Sequence, residues 1–226
     1  MSESRRPGGG RRPFGFPPPL AGSIAPTMLG ELLDHPGVEE QCDLRSPFGL
    51  MAFHGGSLER GTDAIAVAAA ERAGASLYVV RQPPDLRWHV PSTAFDPAES
   101  PALAAFVDHV DVAVAIHGYG RAGMWTTLLL GGRNRPLAAR LGAALRTGLG
   151  PDFTVADELP AIPQRLRGLH PRNPVNLPRG EGVQVELPPR VRSGTGAPTY
   201  RPVYEAAVVA ALAQVAAEPV ELADTP

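Results

Sequence analysis

The chain has 226 residues, a formal net charge of −2 and an isoelectric point near 6.3. A nearly neutral molecule has no overall electrostatic reason to bind nucleic acid or an anionic membrane, and a single cysteine, Cys42, excludes an internal disulfide framework. All 21 basic residues are arginine, which excludes mechanisms that need a lysine, such as a P-loop or a Schiff base.

The first 26 residues are rich in Arg, Pro and Gly. We expect residues 1–26 to form a disordered tail and residues 27–226 to form one α/β domain. Prolines interrupt the apolar part of the tail, so it makes a poor signal sequence, and no apolar run approaches the ~20 residues that span a bilayer. We therefore expect a cytoplasmic protein without membrane contact. We favour a solvated tail over one that binds nucleic acid, and expect its removal to leave stability and activity nearly unchanged.

Apolar periodicity and turn residues predict helices and strands that alternate along the domain. Helices are predicted at 27–33, 62–73, 101–109, 135–145 and 203–217, and strands at 49–53, 77–81, 86–90, 112–116, 125–130 and 182–187. Thr62 is predicted to cap the second helix and Gly74 to end it, and Pro101 to open the third. The segment around Cys42 is predicted to be a loop.

This alternation predicts an α/β fold with a mixed, mostly parallel sheet and helices on both faces. In such sheets, binding sites form at the carboxyl ends of the strands. Two predicted strands end in a histidine, His54 and His117, and glycines follow each of them. The pattern therefore places both imidazoles at the edge of the sheet where a site is expected.

Glu59 follows His54 in the segment HGGSLE, beside glycines that let the backbone approach closely. Two imidazoles and one carboxylate leave a fourth position open on a zinc ion, as in catalytic rather than structural sites. A further carboxylate, Glu186, lies near the end of the apolar strand GVQVEL, where burial of Glu is costly unless the residue is paired or functional.

Four motifs in this order resemble those of the poly-gamma-glutamate hydrolase family, zinc peptidases of phages and bacilli: HGGSLERGT from His54, AIHGYG from Ala115, GG at 131–132, and GVQVEL from Gly182. The resemblance covers roughly residues 48–217. It implies a zinc carboxypeptidase-like fold and cleavage of γ-glutamyl amide bonds. It also implies that His54, Glu59 and His117 bind Zn²⁺ and that Glu186 is the general base for a zinc-activated water.

One spacing departs from the carboxypeptidase pattern. Four residues separate His54 from Glu59, whereas two separate the corresponding ligands of zinc carboxypeptidases, although four is normal for the hydrolase family. The segments HGYG and VEL, in contrast, are similar in both groups of enzymes.

A glutamyl substrate carries carboxylates, which arginine binds through forked hydrogen bonds. Arg133, directly after the GG motif, is the preferred candidate for this contact, and Arg121, Arg179 and Arg190 follow the other motif segments. Tyr119 is a candidate donor to the oxyanion, with packing beside His117 as the alternative. His89 is interpreted as an ordinary strand-edge residue.

The predicted substrate is a glutamyl-amide polymer or a small amide. Two alternatives are an amidohydrolase that acts on N-acyl-glutamates, similar to N-formylglutamate amidohydrolases, and a non-catalytic binding protein on the same scaffold. The complete set of ligands and base favours the enzyme. Endo or exo cleavage and the oligomeric state are left open.

Overall fold

The computed structural model describes residues 28–219, so the predicted tail and Thr27 lie outside the described residues. The helices are α1 (Met28–Leu33), α2 (Thr62–Ala73), α3 (Pro101–His109), α4 (Arg135–Leu149) and α5 (Pro202–Ala216). The strands are β1 (Glu39–Asp43), β2 (Phe48–Gly56), β3 (Ser76–Gln82), β4 (Val112–Gly118), β5 (Thr127–Leu130), β6 (Thr154–Ala156) and β7 (Gly182–Leu187). Within residues 28–219, no helix combines the length and apolar character that crossing a membrane requires.

The strands form a mixed sheet in the order β1-β3-β2-β4-β7-β5-β6. Strands β3, β2, β4 and β7 run parallel, β1 pairs antiparallel with β3, and β5 pairs antiparallel with β7. The chain passes from β2 to β3 on one side of β2 and then returns to β4 on the other side. The carboxyl ends of β2 and β4 therefore flank the point where the strand order reverses, which is where open α/β sheets bind ligands.

Apolar side chains cover both faces of this sheet. Leu50 and Ala52 pack with α2, α4 and α5 on one face, here called face A. Met51 and Phe53 alternate with them and pack with α1 and α3 on the opposite face, here called face B. The predicted fold class, one α/β domain with a mixed sheet and helices on both faces, is confirmed.

The sequence pattern missed two strands, β1 and β6. Strand β1 is polar and partly exposed, and it pairs at the sheet edge with β3, with Glu39 opposite Arg81. Edge strands often carry charged side chains, so the apolar signal that reveals a core strand is weak there. Strand β6 has three residues at the opposite edge.

Two local predictions were wrong. No strand forms at 86–90, because the side-chain amide of Gln82 binds both the N–H and the carbonyl of Trp88, at 2.8 and 2.7 Å, in place of a ladder. Thr62 does not cap α2. The helix starts after Gly61, whose φ of 84° is a left-handed conformation that suits glycine, and the Thr62 hydroxyl donates instead to the Glu59 carbonyl at 2.8 Å. Gly74 ends the helix as predicted.

Candidate active site

The three predicted metal ligands meet at the carboxyl ends of β2 and β4. Glu59 lies in the loop between β2 and α2, and its carboxylate contacts both imidazoles: Oε1 is 2.8 Å from His54 Nδ1, and Oε2 is 3.4 Å from His117 Nδ1. The backbone N–H of Gly118 also donates to Glu59 Oε2 at 2.8 Å. The carboxylate is therefore fixed between the two Nδ1 atoms.

The hydrogen bonds of His54 turn its Nδ1 atom toward the Glu59 carboxylate. Nε2 lies 2.8 Å from the carbonyl oxygen of Val90, which can only accept, so Nε2 carries the proton. In a neutral imidazole the Nδ1 lone pair then points at the Glu59 oxygen 2.8 Å away. Two lone pairs repel at this distance unless a proton or a metal ion lies beside them. The donor set thus fits a metal ion, and the Val90 carbonyl holds the ring in the ligating tautomer.

Burial and charge act in opposite directions on Glu59 and His117. Burial alone raises the pKa of Glu59, but the two imidazoles outweigh it and hold this pKa well below 4.5. Burial alone lowers the pKa of His117, but the Glu59 carboxylate outweighs it and raises this pKa. His117 Nε2 is buried without a hydrogen-bond partner among the described residues. The cluster therefore favours an anionic carboxylate next to a cation.

Glu186 faces the same space from β7. It lies directly opposite His117 in the parallel pairing of β4 with β7, and it is 5% exposed. Burial raises its pKa to about 7, the Glu59 carboxylate adds to this effect, and His117 opposes it. A carboxyl group with this pKa can take up and release a proton near neutral pH.

A buried chain of amides orients Glu186. Asn173 Nδ2 donates to Gln184 Oε1 at 2.8 Å, and Gln184 Nε2 donates to Glu186 Oε1 at 2.9 Å. Gln184 and Glu186 point to the same side of β7 because they are two residues apart. The sequence analysis missed the role of Gln184, although its position within the GVQVEL strand carried the signal.

His89 also lies at the cluster. His54, Glu59 and His89 each offer a ligand atom, and these atoms lie within 4.8 Å of one another. The rings of His54 and His89 are 4.8 Å apart between centroids, and burial together with His54 lowers the pKa of His89. The interpretation of His89 as a strand-edge residue was wrong, because its segment is a loop that folds over the site.

The cluster opens into a cavity of about 930 Å³. His54, Glu59, His117 and Glu186 are among the residues that line it. Three basic residues of a single loop line it as well: Arg165, Arg167 and His170. Sequence reasoning did not single out Arg165 and Arg167, because they lie outside the regular strands and α-helices on which it relied.

The four arginines proposed from the sequence do not line this cavity. Arg133 pairs with Glu181 at 3.0 Å, and Arg179 pairs with Asp111 at 3.1 Å. Arg190 stacks over the rings of Phe153 and Tyr204, and Arg121 is exposed. Their predicted contact with a substrate carboxylate stays a prediction, and their surroundings give it no support.

Tyr119 borders the cavity, but its hydroxyl is directed at the backbone. The oxygen lies 2.6 Å from the carbonyl of Thr127 and 2.9 Å from that of Met124. Burial raises its pKa to about 12, so the hydroxyl stays protonated at neutral pH. In this conformation the hydroxyl donates its hydrogen bond to a backbone carbonyl oxygen. A role as oxyanion donor requires a rotation of the side chain.

Comparison with protein families matches residues 31–195 to the poly-gamma-glutamate hydrolase family. The fold is similar to that of a bacteriophage poly-gamma-glutamate hydrolase, with a TM-score of 0.66, 22% identity and coverage of 82% of this chain and 91% of that chain. It is also similar to a zinc-free form of the protein YNDL, with a TM-score of 0.59, 20% identity and coverage of 79% and 88%. A metallo-carboxypeptidase from Burkholderia cenocepacia is more distant, with a TM-score of 0.43, 10% identity and coverage of 84% and 66%. A comparison with curated proteins finds no match.

Proposed function

The chain belongs to the poly-gamma-glutamate hydrolase family, and we propose that it hydrolyses γ-glutamyl amide bonds of a poly-γ-glutamate-like polymer with a bound zinc ion. One observation carries this proposal: a carboxylate held between two histidine Nδ1 atoms lies beside a second, buried carboxyl group with a pKa near 7. Metal binding is thereby assigned to Glu59 and the two histidines, and proton transfer to Glu186, within one cavity.

His54, Glu59 and His117 are the residues that would hold the metal. Two imidazole nitrogens and one carboxylate oxygen are the donor set of many catalytic zinc sites. When bound, the ion supplies a Lewis acid that polarises the scissile carbonyl and makes water a better nucleophile at neutral pH. We assign the third ligand position to His117 rather than His89, because His117 is buried and directs Nδ1 at Glu59, whereas His89 is exposed.

Glu186 acts as the general base in this proposal. Its carboxylate accepts a proton from the attacking water as the new C–O bond forms. It then returns the proton to the leaving nitrogen as the C–N bond breaks, so that the products are a free carboxylic acid and a free amine. Gln184 donates to one carboxyl oxygen of Glu186, and Glu186 lines the cavity.

The charge of the cavity supports a substrate that carries carboxylates. A volume of about 930 Å³ lies near the upper end of the roughly 300–1,000 Å³ typical of small-molecule sites. Arg165 and Arg167 place two cationic side chains along it. Each γ-linked unit of poly-γ-glutamate carries a free α-carboxylate, and an arginine guanidinium matches this group in charge and shape.

The decisive experiment compares two polymers of equal charge. Purified protein loaded with Zn²⁺ should shorten γ-linked polyglutamate, as measured by size-exclusion chromatography, and should leave α-linked polyglutamate intact. A chelator should abolish the cleavage, and added Zn²⁺ should restore it. No cleavage of either polymer or of N-acyl-glutamates would favour a non-catalytic binding protein, and cleavage of N-acyl-glutamates alone would favour a small-amide hydrolase.

A further inference from the structure

Arg192 is a buried arginine just beyond β7, with 5% of its surface exposed. Its guanidinium donates three hydrogen bonds, each to a backbone carbonyl oxygen. Nε binds Leu187 at 3.1 Å, Nη1 binds Arg60 at 2.7 Å, and Nη2 binds Tyr119 at 3.4 Å. One side chain thus connects three chain segments that are far apart in sequence.

Each of these carbonyls lies next to a residue of the proposed active site. Arg60 directly follows Glu59, and Leu187 directly follows Glu186. Tyr119 is two residues beyond His117, at the end of β4. The three hydrogen bonds therefore join the segments that carry two metal ligands and the general base.

The guanidinium also packs directly against the strand end that carries His117. A Cβ atom built on Gly118 would overlap the Arg192 guanidinium, so a larger residue there would displace it from its present position. The same Gly118 donates its N–H to Glu59 Oε2 at 2.8 Å. Glycine at this position lets the arginine approach the back of the ligand cluster.

We propose that Arg192 is a positioning residue that sets the spacing of Glu59, His117 and Glu186, and through this spacing the affinity of the site for its metal. The inference rests on the metal site of the proposed function. Metal affinity depends on ligands held at bonding distance, and loss of a partner that orients a ligand typically weakens metal binding by about 10–100-fold.

The chemistry of the link requires arginine. A guanidinium has five N–H donors in fixed planar directions, which lets Nε, Nη1 and Nη2 serve three carbonyls at once. A lysine ammonium is a single point with three donors on a flexible stem. It keeps the charge of Arg192 but cannot span the same three acceptors, so charge and geometry can be tested separately.

The test measures Zn²⁺ affinity by competition with a chelator for folded wild-type, Arg192→Ala and Arg192→Lys proteins. Both variants should bind Zn²⁺ about 10–100-fold more weakly than wild type. A second cavity of about 310 Å³ reaches Arg192 from the side of Glu59, so free guanidinium ion at millimolar concentration should restore part of the affinity of Arg192→Ala. It should have no effect on Arg192→Lys, whose side chain fills the space.

Arg135 provides a matched control. Its guanidinium also binds backbone carbonyls, those of Leu130, Gly131 and Gly132 at 3.0 to 3.1 Å and that of Asp157, but these belong to segments without proposed metal ligands. Arg135→Ala should therefore lower the melting temperature while it keeps wild-type Zn²⁺ affinity. Equal affinity losses in the Arg135 and Arg192 variants would overturn the inference, because they would reflect general loosening of the fold.

The remaining outcomes are also decisive. Wild-type Zn²⁺ affinity in both Arg192 variants would refute the positioning role and leave the proposed function intact. Failure of both variants to fold, judged by circular dichroism, would refute it too, because Arg192 would then be needed by the fold rather than by the site. Absence of Zn²⁺ binding by wild-type protein would instead refute the proposed metal site.

Discussion

Substitution of Glu186 by glutamine separates its role in catalysis from its effect on stability. Glutamine keeps the shape of the side chain, and its oxygen can still accept the hydrogen bond from Gln184 Nε2, which measures 2.9 Å in the structure. It cannot take up a proton. Turnover of γ-linked polyglutamate should therefore fall by about 10²–10⁴-fold while Zn²⁺ content stays at one per chain.

The same substitution should stabilise the metal-free protein at high pH. Burial raises the pKa of Glu186 from its usual 4.5 to about 7, so the folded chain binds this proton more tightly than the unfolded chain. The free energy of unfolding then decreases as the pH rises from about 4.5 to about 7, and the loss is about 3 kcal/mol at 1.36 kcal/mol per pKa unit. Glu186→Gln removes this loss because the amide does not ionise.

Urea unfolding in the presence of a chelator measures this effect at pH 4.5 and pH 8. The variant and wild type should be equally stable at pH 4.5, and the variant should be more stable by about 3 kcal/mol at pH 8. Glu181→Gln, at a half-buried position just before β7, is the matched control and should show no such gain in stability at pH 8. Full turnover by a zinc-loaded Glu186→Gln protein would refute its role as base, and a pH-independent stability difference would refute its buried ionisation.

Three further predictions concern neighbouring residues. His117→Ala should lose bound Zn²⁺, as measured by metal analysis, whereas His89→Ala should retain one ion per chain; the reverse result would exchange their roles. Arg167→Ala should raise KM for γ-linked polyglutamate several-fold with little change in kcat, and Arg72→Ala, at an exposed position on α2, should change neither; an unchanged KM for Arg167→Ala would exclude it from substrate binding. In wild type the hydrogen bond from Gln184 lowers the pKa of the general base, Glu186. Gln184→Ala removes this bond, so the pKa should rise and the acid limb of the pH–rate profile should shift to higher pH; an unmoved limb would contradict this link.

Helices and core strands with strong periodicity were predictable from the sequence. The bounds of α2, α3 and β7 agree with the predicted ranges, and Pro101 opens α3 and Gly74 ends α2 as expected. The two helices each bury one apolar stripe, and the strand is buried along its whole length, so the apolar pattern alone identifies these elements. The family match confirms the resemblance that the motifs indicated.

Contacts to a substrate were less predictable, because they depend on loops. The arginines chosen from the sequence lie close to the motifs along the chain, yet Arg133 and Arg179 pair with nearby carboxylates at the surface. The cavity is lined instead by Arg165 and Arg167, which follow no motif. Proximity in sequence to a strand end does not determine which loop covers the site at that end. Tertiary packing determines it.

The position of His54 shows why the metal cluster itself also depends on a local irregularity. Strict alternation along β2 would place His54 with Ala52 on face A, away from His117, which shares the opposite face with Ala115 and Phe53. The register between β2 and β3 shifts between Ala52 and Gly55, as in a β-bulge. The shift turns His54 to face B, where its ring lies 5.1 Å from that of His117. A metal site at these two strand ends therefore requires the bulge as well as the histidines, and the two glycines after His54 allow the strand to bend there.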